Sequence, residues 1–494
     1  MSDKEREARR ARLEALRGEG VDPYPARVGA RTPVAELRRR YDPEDAETLE
    51  AKAPQAALAG RVRTIRSFGK LLFLTVVEDG VELQVSVRKG VAPDETFAFA
   101  RQQIDMGDFV RVSGVMWRTK KGELSLDARG IELLSKALRP LPEKWHGLQD
   151  VEARFRQRYL DLLSNPRSRE IAVLRSRIVR ETRRFLDGRG FLEVETPVLQ
   201  PVYGGAAARP FTTFHNLLDQ TLYLRISDEL YLKRLVIGGI DRVYEIGRVF
   251  RNEGISHKHN PEFSMLECYQ AYADFEDMME LVQAMLLHVA GEVLGGTRVA
   301  WQGEELELAG TWRRVPMRDA IQGAIGVDVM EAPDLGSLRQ AVRAAGHEPG
   351  DAPTWAQLVD DLFSEHVEPA LRQPTFVTHH PTELSPLAKR SAEDPRVVER
   401  FELYLGGMEI ANAFSELNDP EDQRDRLEEQ QRLHAAGDDD AHPMDEDFLR
   451  ALEHGMPPTG GLGVGIDRLV RVLLDAPNLR EVILFPHLRP EPRG

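Results

Sequence analysis

The stretch GGLGVGIDRLVRVLL, Gly460 to Leu474, decides how the larger part of the chain is built. Gly461, Gly463 and Gly465 stand at alternate positions of a strand, which lets that strand approach a ligand or another backbone. A helix follows, with Arg468 in its first turn. The dinucleotide fingerprint needs another glycine spacing and an acidic residue about twenty positions on, so that reading fails. A Walker A loop needs Gly-Lys-Ser/Thr, which is absent. The segment is therefore a glycine strand feeding an arginine-bearing helix, and its ligand must be sought in what surrounds it.

Two earlier segments share this character. FRNEGISHKHNPEF (Phe250–Phe263) closes one strand, turns through a polar loop with His257, Lys258 and His259, and returns as another. An arginine at such a strand end, Arg251, can gather anionic oxygens because guanidinium donors fit two oxygens at once. GFLEVETPVL (Gly190–Leu199) is a helix stop followed by a strand ending in Pro197, which demotes it to an edge or an interface. Around these, FLEVETPVL, TLYLRIS, RVYEIGRVFRNE, EFSMLECYQAY and RFELYLGGMEIANAFSEL alternate as strands of one large, mainly antiparallel sheet. Helices are expected at about 228–239, 276–294 and 464–475, behind a long amphipathic helix carrying Ile171, Leu174, Ile178, Phe185 and Leu186. Residues 310–372 read as a separate, mostly helical insertion.

Towards the N-terminus the period becomes two. GRVRTIRSFGKLLFLTVVEDGVELQVSVRKG (Gly60–Gly90) holds three short runs, broken at Phe68-Gly69-Lys70 and at Glu78-Asp79-Gly80, the latter a hairpin signal. After a helix near Glu95–Ile104 come DFVRVSGVMWRT and GELSLDARGIELL. Five strands with a helix between the third and fourth are the pattern of an OB-fold barrel. Arg61, Arg63, Arg66, Phe73, Gln84 and Trp117 mix cationic and stacking groups, which single-stranded nucleic acid requires. The expected divisions are a helical extension at 1–55, the barrel at 56–138, a Pro/Gly-rich linker at 139–160 and an α+β domain at 161–494.

The 494 residues, 41% hydrophobic and 30% charged, suffice for several folded domains and argue against global disorder. No apolar run nears the ~18 residues of a membrane span. The charged start, MSDKEREARRARLEALRGEG, is unlike a secretory signal, and the single cysteine, Cys268, excludes an intrachain disulfide. A reduced, cytoplasmic setting is expected. The net charge of −15 alone would argue against a polyanion partner, but charge is segregated. Residues 1–40 carry 11 Lys/Arg against 7 Asp/Glu, whereas 419–447, with Asp438, Asp439 and Asp440, is acidic. The first helix, with Ala8, Leu13 and Leu16 on a thin stripe, reads as a solvated extension or as a basic arm.

In this order, the segments at 190–199, 250–263 and 460–474 resemble motifs 1, 2 and 3 of class II aminoacyl-tRNA synthetases. From about residue 56 onward, RPLPEKWHGLQDVEARFRQRYLDLL, GGAAARPF, ELYLKRL, SPLAKR and FSELND are similar to lysyl-tRNA synthetases. The resemblance implies ligation of L-lysine to tRNA(Lys) through a lysyl-adenylate, with ATP as co-substrate and Mg²⁺ as cofactor. It implies that Arg251 bridges the substrate carboxylate and the α-phosphate, and that Arg468 holds the γ-phosphate. His259 and Asn260 would contact the nucleotide, Phe263 stack on adenine and Glu253 accept from its amino group. Glu402 and Glu409 match the magnesium carboxylates.

For the amino acid, the resemblance implies that Glu229 and Gly205 bind the α-amino group and Asn412 helps hold the carboxylate. Phe414 and Glu267 would line the stem, and Glu416 with Tyr269 would meet the ε-ammonium. So many carboxylates suit a dication and disfavour aspartate, because like charges buried together repel. Arg66, Phe73, Gln84 and Glu123 match anticodon-binding positions. The resemblance further implies a homodimer with Pro197 at the two-fold interface. Ala411 and Ala413 stand where glycines are common in the family, and Cys268 where Leu or Met is usual. Two rivals share this fold: a lysine ligase acting on elongation factor P, which lacks the barrel, and a tRNA-binding regulator without catalysis, which would have lost Arg251, Glu409 or Arg468.

Overall fold

The computed structural model describes residues 2–141, 148, 150–256, 258–435 and 442–491. The readings on His257, on Asp438, Asp439 and Asp440, and on linker residues 142–147 and 149 lie outside them. The chain divides into two compact units, Met1–Gly147 and Leu148–Gly494.

In the first unit, five strands close into a barrel: β1 (Gln55–Phe68), β2 (Leu71–Glu78), β3 (Val81–Arg88), β4 (Phe109–Arg118) and β5 (Leu124–Ser135), in the order β1-β2-β3-β5-β4. A helix at Asp94–Gln102 lies between β3 and β4. Asp79 and Gly80 both take positive φ, 48° and 82°, the paired left-handed turn that joins strands with their natural twist. Alternation fills the barrel with Leu58, Val62, Leu74, Val76, Val85, Val87, Val110, Val112 and Leu126, all inaccessible. The first helix, Ser2–Gly18, is no solvated extension, since Leu16 is fully buried in the same apolar cluster as the barrel. Arg9 anchors that helix by its polar side: its Nη1 donates to the carbonyls of Met106 and Ala137.

The second unit is α+β. Its eight-stranded sheet runs Arg313–Pro316, Thr375–Thr378, Arg400–Leu405, Met408–Ser415, Thr459–Gly465, Glu262–Ala271, Arg242–Phe250, Leu192–Glu193. All neighbours are antiparallel except the outermost pair at each edge. Period two sorts the central strands cleanly. Leu266, Cys268, Ala411, Ala413, Leu462 and Val464 join the main hydrophobic cluster. That cluster includes residues of the helices Pro166–Gly188, Phe275–Leu294 and Ile466–Leu473. The Phe275–Leu294 helix starts at Asp274 with a reciprocal capping box and stops at Gly295 in the left-handed region. The opposite face carries Glu267, Tyr269, Asn412 and Phe414.

Two expectations for this second unit need correction. TLYLRIS does not enter the large sheet: Gln220–Leu224 pairs with Leu199–Gln200 and Thr212–His215 in a separate three-stranded sheet. Alternation announces a strand but not its partner. The 310–372 segment is not separate either. Its Arg313–Pro316 strand forms the sheet edge, and its helices share an apolar cluster with Val377 and Tyr404 of that sheet.

Candidate active site

On the sheet face opposite the helical core lies a cavity of about 280 Å³, and every residue assigned above to amino acid, nucleotide or metal lines it. Its floor is the glycine strand. Gly461 pairs with both Tyr269 and Phe414, and Gly463 with both Glu267 and Asn412. A Cβ on Gly461 would collide with Glu416 Oε1 and with Tyr269 Cε1, whereas one on Gly463 would meet nothing nearer than 3.7 Å. Gly461 is thus required by its neighbours, and Gly463 leaves room for a guest.

One end of the cavity is acidic and buried. Glu229, Glu267 and Glu416 are 6%, 4% and 1% exposed. Glu267 accepts from Ser227 Oγ at 2.7 Å and from Tyr269 OH at 3.1 Å. Burial, then the nearby charge of Glu229, pushes its carboxyl up to about 7. Glu416 is raised by burial too, with Glu229 and Glu267 adding and the Lys233 ammonium opposing. Its Oε1 has no hydrogen-bond donor among the described residues. Gly205, at φ 84°, brings its backbone against Ser227 and Glu229 where a Cβ would not fit.

The other end gathers cations. Arg251 leaves the end of its strand, its guanidinium 5.2 Å from the Phe263 ring, and its buried Nε has no hydrogen-bond partner among the described residues. Its pKa is lowered chiefly by burial, so the charge is held in a costly place. Arg468 donates to Glu409 Oε2 at 2.7 Å and approaches His259 Nε2 at 3.4 Å. Asp467 accepts from the Ser264 amide at 2.9 Å and pairs with Arg175, which ties the start of the Arg468 helix to the neighbouring strand. Asn260 is occupied within the protein: it donates to the Glu262 carbonyl and accepts from the His487 amide at 3.3 Å.

Glu402 accepts from Arg400 Nη2 and Tyr404 OH, each at 2.6 Å. Burial would raise its carboxyl, but Arg400, His380 and the Tyr404 hydroxyl together outweigh burial and hold it well below the usual range. Glu402 and Glu409 are two hard oxygen donors on adjacent strands, and Glu409 is 37% exposed toward the cavity. Among the described residues no cluster of three or more His, Cys, Asp or Glu forms a ready cage. Two carboxylates fit Mg²⁺, which usually takes one or two and completes its shell with phosphate and water.

The sequence reading missed Arg400 and Lys233, and it placed Lys258 in the polar loop beside Arg251 without a role of its own. Arg400 lines the cavity and donates to Asn412 Oδ1 at 2.9 Å. It lies two residues from Glu402, so strand alternation could have found it. Lys258 lines the cavity and reaches Glu368 at 2.6 Å.

On the barrel, Arg66 and Phe73 are cross-strand partners, the guanidinium 5.8 Å from the ring. Arg66 also donates to Gln84 Oε1 at 3.0 Å. Phe68, 64% exposed, packs edge-on against Phe73 and extends this platform. Glu123 pairs instead with Arg38, at 3.5 Å. Arg61, Arg63 and Trp117 do not join the group. They are engaged by Gly107 and Phe109, by Glu82, and by Ser86 and Arg88.

Residues 150–489 match the family of tRNA synthetases class II (D, K and N), and residues 56–134 match the OB-fold nucleic acid binding domain. The chain is 53% identical to the lysine–tRNA ligase of Roseiflexus castenholzii over 483 residues, 98% of each protein. It is 53% identical to that of Chloroflexus aurantiacus over 482 residues, 97% of each, and 49% identical to that of Staphylococcus aureus over 483 residues, again 97% of each. A cavity acidic at one end and rich in arginine at the other, a barrel with a stacking platform and this full-length similarity agree: the chain belongs to the lysine–tRNA ligase family of class II tRNA synthetases.

Proposed function

We propose that this protein ligates L-lysine to tRNA(Lys) in the cytoplasm, through a lysyl-adenylate, releasing AMP and pyrophosphate. The observation that carries the reading is the trio Glu229, Glu267 and Glu416 at one end of a cavity whose other end holds Arg251 and Arg468. A doubly cationic amino acid satisfies the first group and a triphosphate the second.

The carboxylate of lysine is already a nucleophile, so the protein needs only to align it and to offset charge. Arg251, whose guanidinium forms no ion pair among the described residues, bridges that carboxylate and the α-phosphate. Arg468 exchanges Glu409 for the γ-phosphate. Phe263 stacks on adenine, Glu253 accepts from its amino group, and His259 with Asn260 shape the loop over it. Glu229 and Gly205 take the α-amino group, Asn412 the carboxylate, Phe414 the stem, and Glu416 with Tyr269 the ε-ammonium. Glu402 and Glu409 would hold Mg²⁺, which when bound offsets the charge of the phosphate oxygens.

Two copies are expected to pair through the motif 1 face. Exposed Pro197, Val198 and Leu199 there adjoin the small sheet bearing Phe214, with Leu217 and Leu218 92% and 66% exposed in its turn. The barrel, by its likeness to OB-fold nucleic acid binding domains, is the expected reader of the anticodon. The protein-modifying rival lacks such a domain, and the regulator rival should have lost the arginines.

Lysine-dependent ATP–pyrophosphate exchange tests the activity, and silence with lysine would reject it. Gly461→Ala is expected to displace Glu416 and Tyr269 and raise the KM for lysine at least tenfold, roughly the cost of crowding a packed site; an unchanged KM would remove the floor assignment. Phe73→Ala is expected to lower kcat/KM for tRNA charging by about ten- to a hundredfold, the usual worth of one stacked base. Exchange, which needs no tRNA, should not change; an equal loss in both assays would assign Phe73 to folding alone.

A further inference from the structure

Lys233 lies one step behind the acidic end of the cavity, with no exposed surface. It sits four residues after Glu229 on the helix Glu229–Ile237, and its Nζ reaches Glu229 Oε1 at 2.6 Å. The same ammonium pairs with Glu416, which follows the Met408–Ser415 strand. It also lies 5.5 Å from the Phe414 ring and 5.8 Å from the Phe448 ring. Burial alone would favour losing its proton, but the two carboxylates outweigh burial and raise its pKa. His442 nearby is pulled down to about 4 by burial and then by Lys233, so it adds no positive charge near neutrality.

The charges can be balanced with the guest in place. Fully ionised, Glu229, Glu267 and Glu416 carry three negative charges, and Lys233 offsets one. The remaining two equal the two ammonium groups of lysine. Without Lys233, one carboxyl would have to keep a proton even with lysine bound, because an uncompensated buried charge is far costlier than a protonated acid. A protonated carboxyl can donate to a neutral hydroxyl, which an ionised one cannot.

We propose that Lys233 is a positioning residue for the amino-acid substrate, a permanent internal counter-ion that holds Glu229 and Glu416 in place and trims the wall to the charge of a doubly cationic guest. This rests on lysine being the substrate. Wild-type exchange with lysine therefore comes first, and silence there rejects that reading without touching Lys233.

Given exchange, Lys233→Met keeps the length of the stem and removes the charge. The KM for lysine is expected to rise at least about tenfold, while kcat and the KM for ATP stay within about threefold, the split that marks lost ground-state binding. The preference for lysine over its hydroxyl analogue, ε-hydroxynorleucine, is expected to fall about tenfold or more, since the wall now carries a donor. A lysine KM and a preference both within about twofold of wild type would overturn the proposal, as would a KM for ATP rising in step with that for lysine. Should Lys233→Met prove insoluble, Lys233→Met with Glu416→Gln removes the unpaired carboxylate and leaves Glu229 the attraction of Arg400. Recovery of the folded protein supports the counter-ion role; continued insolubility overturns it.

Discussion

Arg251→Ala is expected to lower lysine-dependent ATP–pyrophosphate exchange by about 10³-fold, roughly 4 kcal/mol of transition-state stabilisation, with little change in thermal stability. The resting structure explains both halves. Arg468 and Arg400 are held by Glu409 and Glu402, but Arg251 forms no ion pair among the described residues and keeps an unpartnered Nε beside Phe263. Truncation therefore breaks no resting ion pair. What it removes appears only when two anions, a carboxylate and an α-phosphate, must be brought within bonding distance. Arg251→Lys should recover little, because an ammonium offers a point charge where a planar fork is needed. Exchange within about tenfold of wild type would remove Arg251 from the chemistry.

The KM for lysine should fall about tenfold per pH unit as pH rises toward 7 and flatten above, while the KM for ATP stays level. Burial, then the charge of Glu229, pushes the Glu267 carboxyl up to about 7. The ammonium groups of the guest favour its ionised form, so binding below that value must expel a proton. Glu267→Gln should raise the KM and abolish the slope. The same group bears on stability. Its folded pKa lies above the ordinary 4.5, so its contribution is fully present below 4.5 and is lost as pH rises through about 7. Added lysine should therefore raise the melting temperature more at pH 8 than at pH 6. A KM profile flat across this range would show that Glu267 does not meet the guest.

Much of this site was reached from the sequence through the resemblance of its motifs, and strand alternation, a local property, is why those side chains gather on one face. Asn412, Phe414 and Glu416 share one face while Ala411 and Ala413 share the other, and Gly463 and Gly461 lie opposite Asn412 and Phe414. Residues whose role depends on long-range packing were not legible. Glu229 and Lys233, four apart on a helix, read like an ordinary surface pair until Phe414, Glu416 and Phe448 close over them. Arg9 looks solvent-bound until the carbonyls of Met106 and Ala137 are brought to it. TLYLRIS is a strand in isolation, and only tertiary pairing decides which sheet receives it.

Cys268 has a practical consequence. It sits with no exposed surface in the central strand, on the face turned away from the cavity, between neighbours that line the cavity. Burial, and secondarily Glu267, keeps its thiol protonated and unreactive. As the chain's sole sulfhydryl, it is a ready-made clock: its alkylation rate in mild denaturant times how often the heart of the enzyme opens, with no label to engineer and no competing site to subtract.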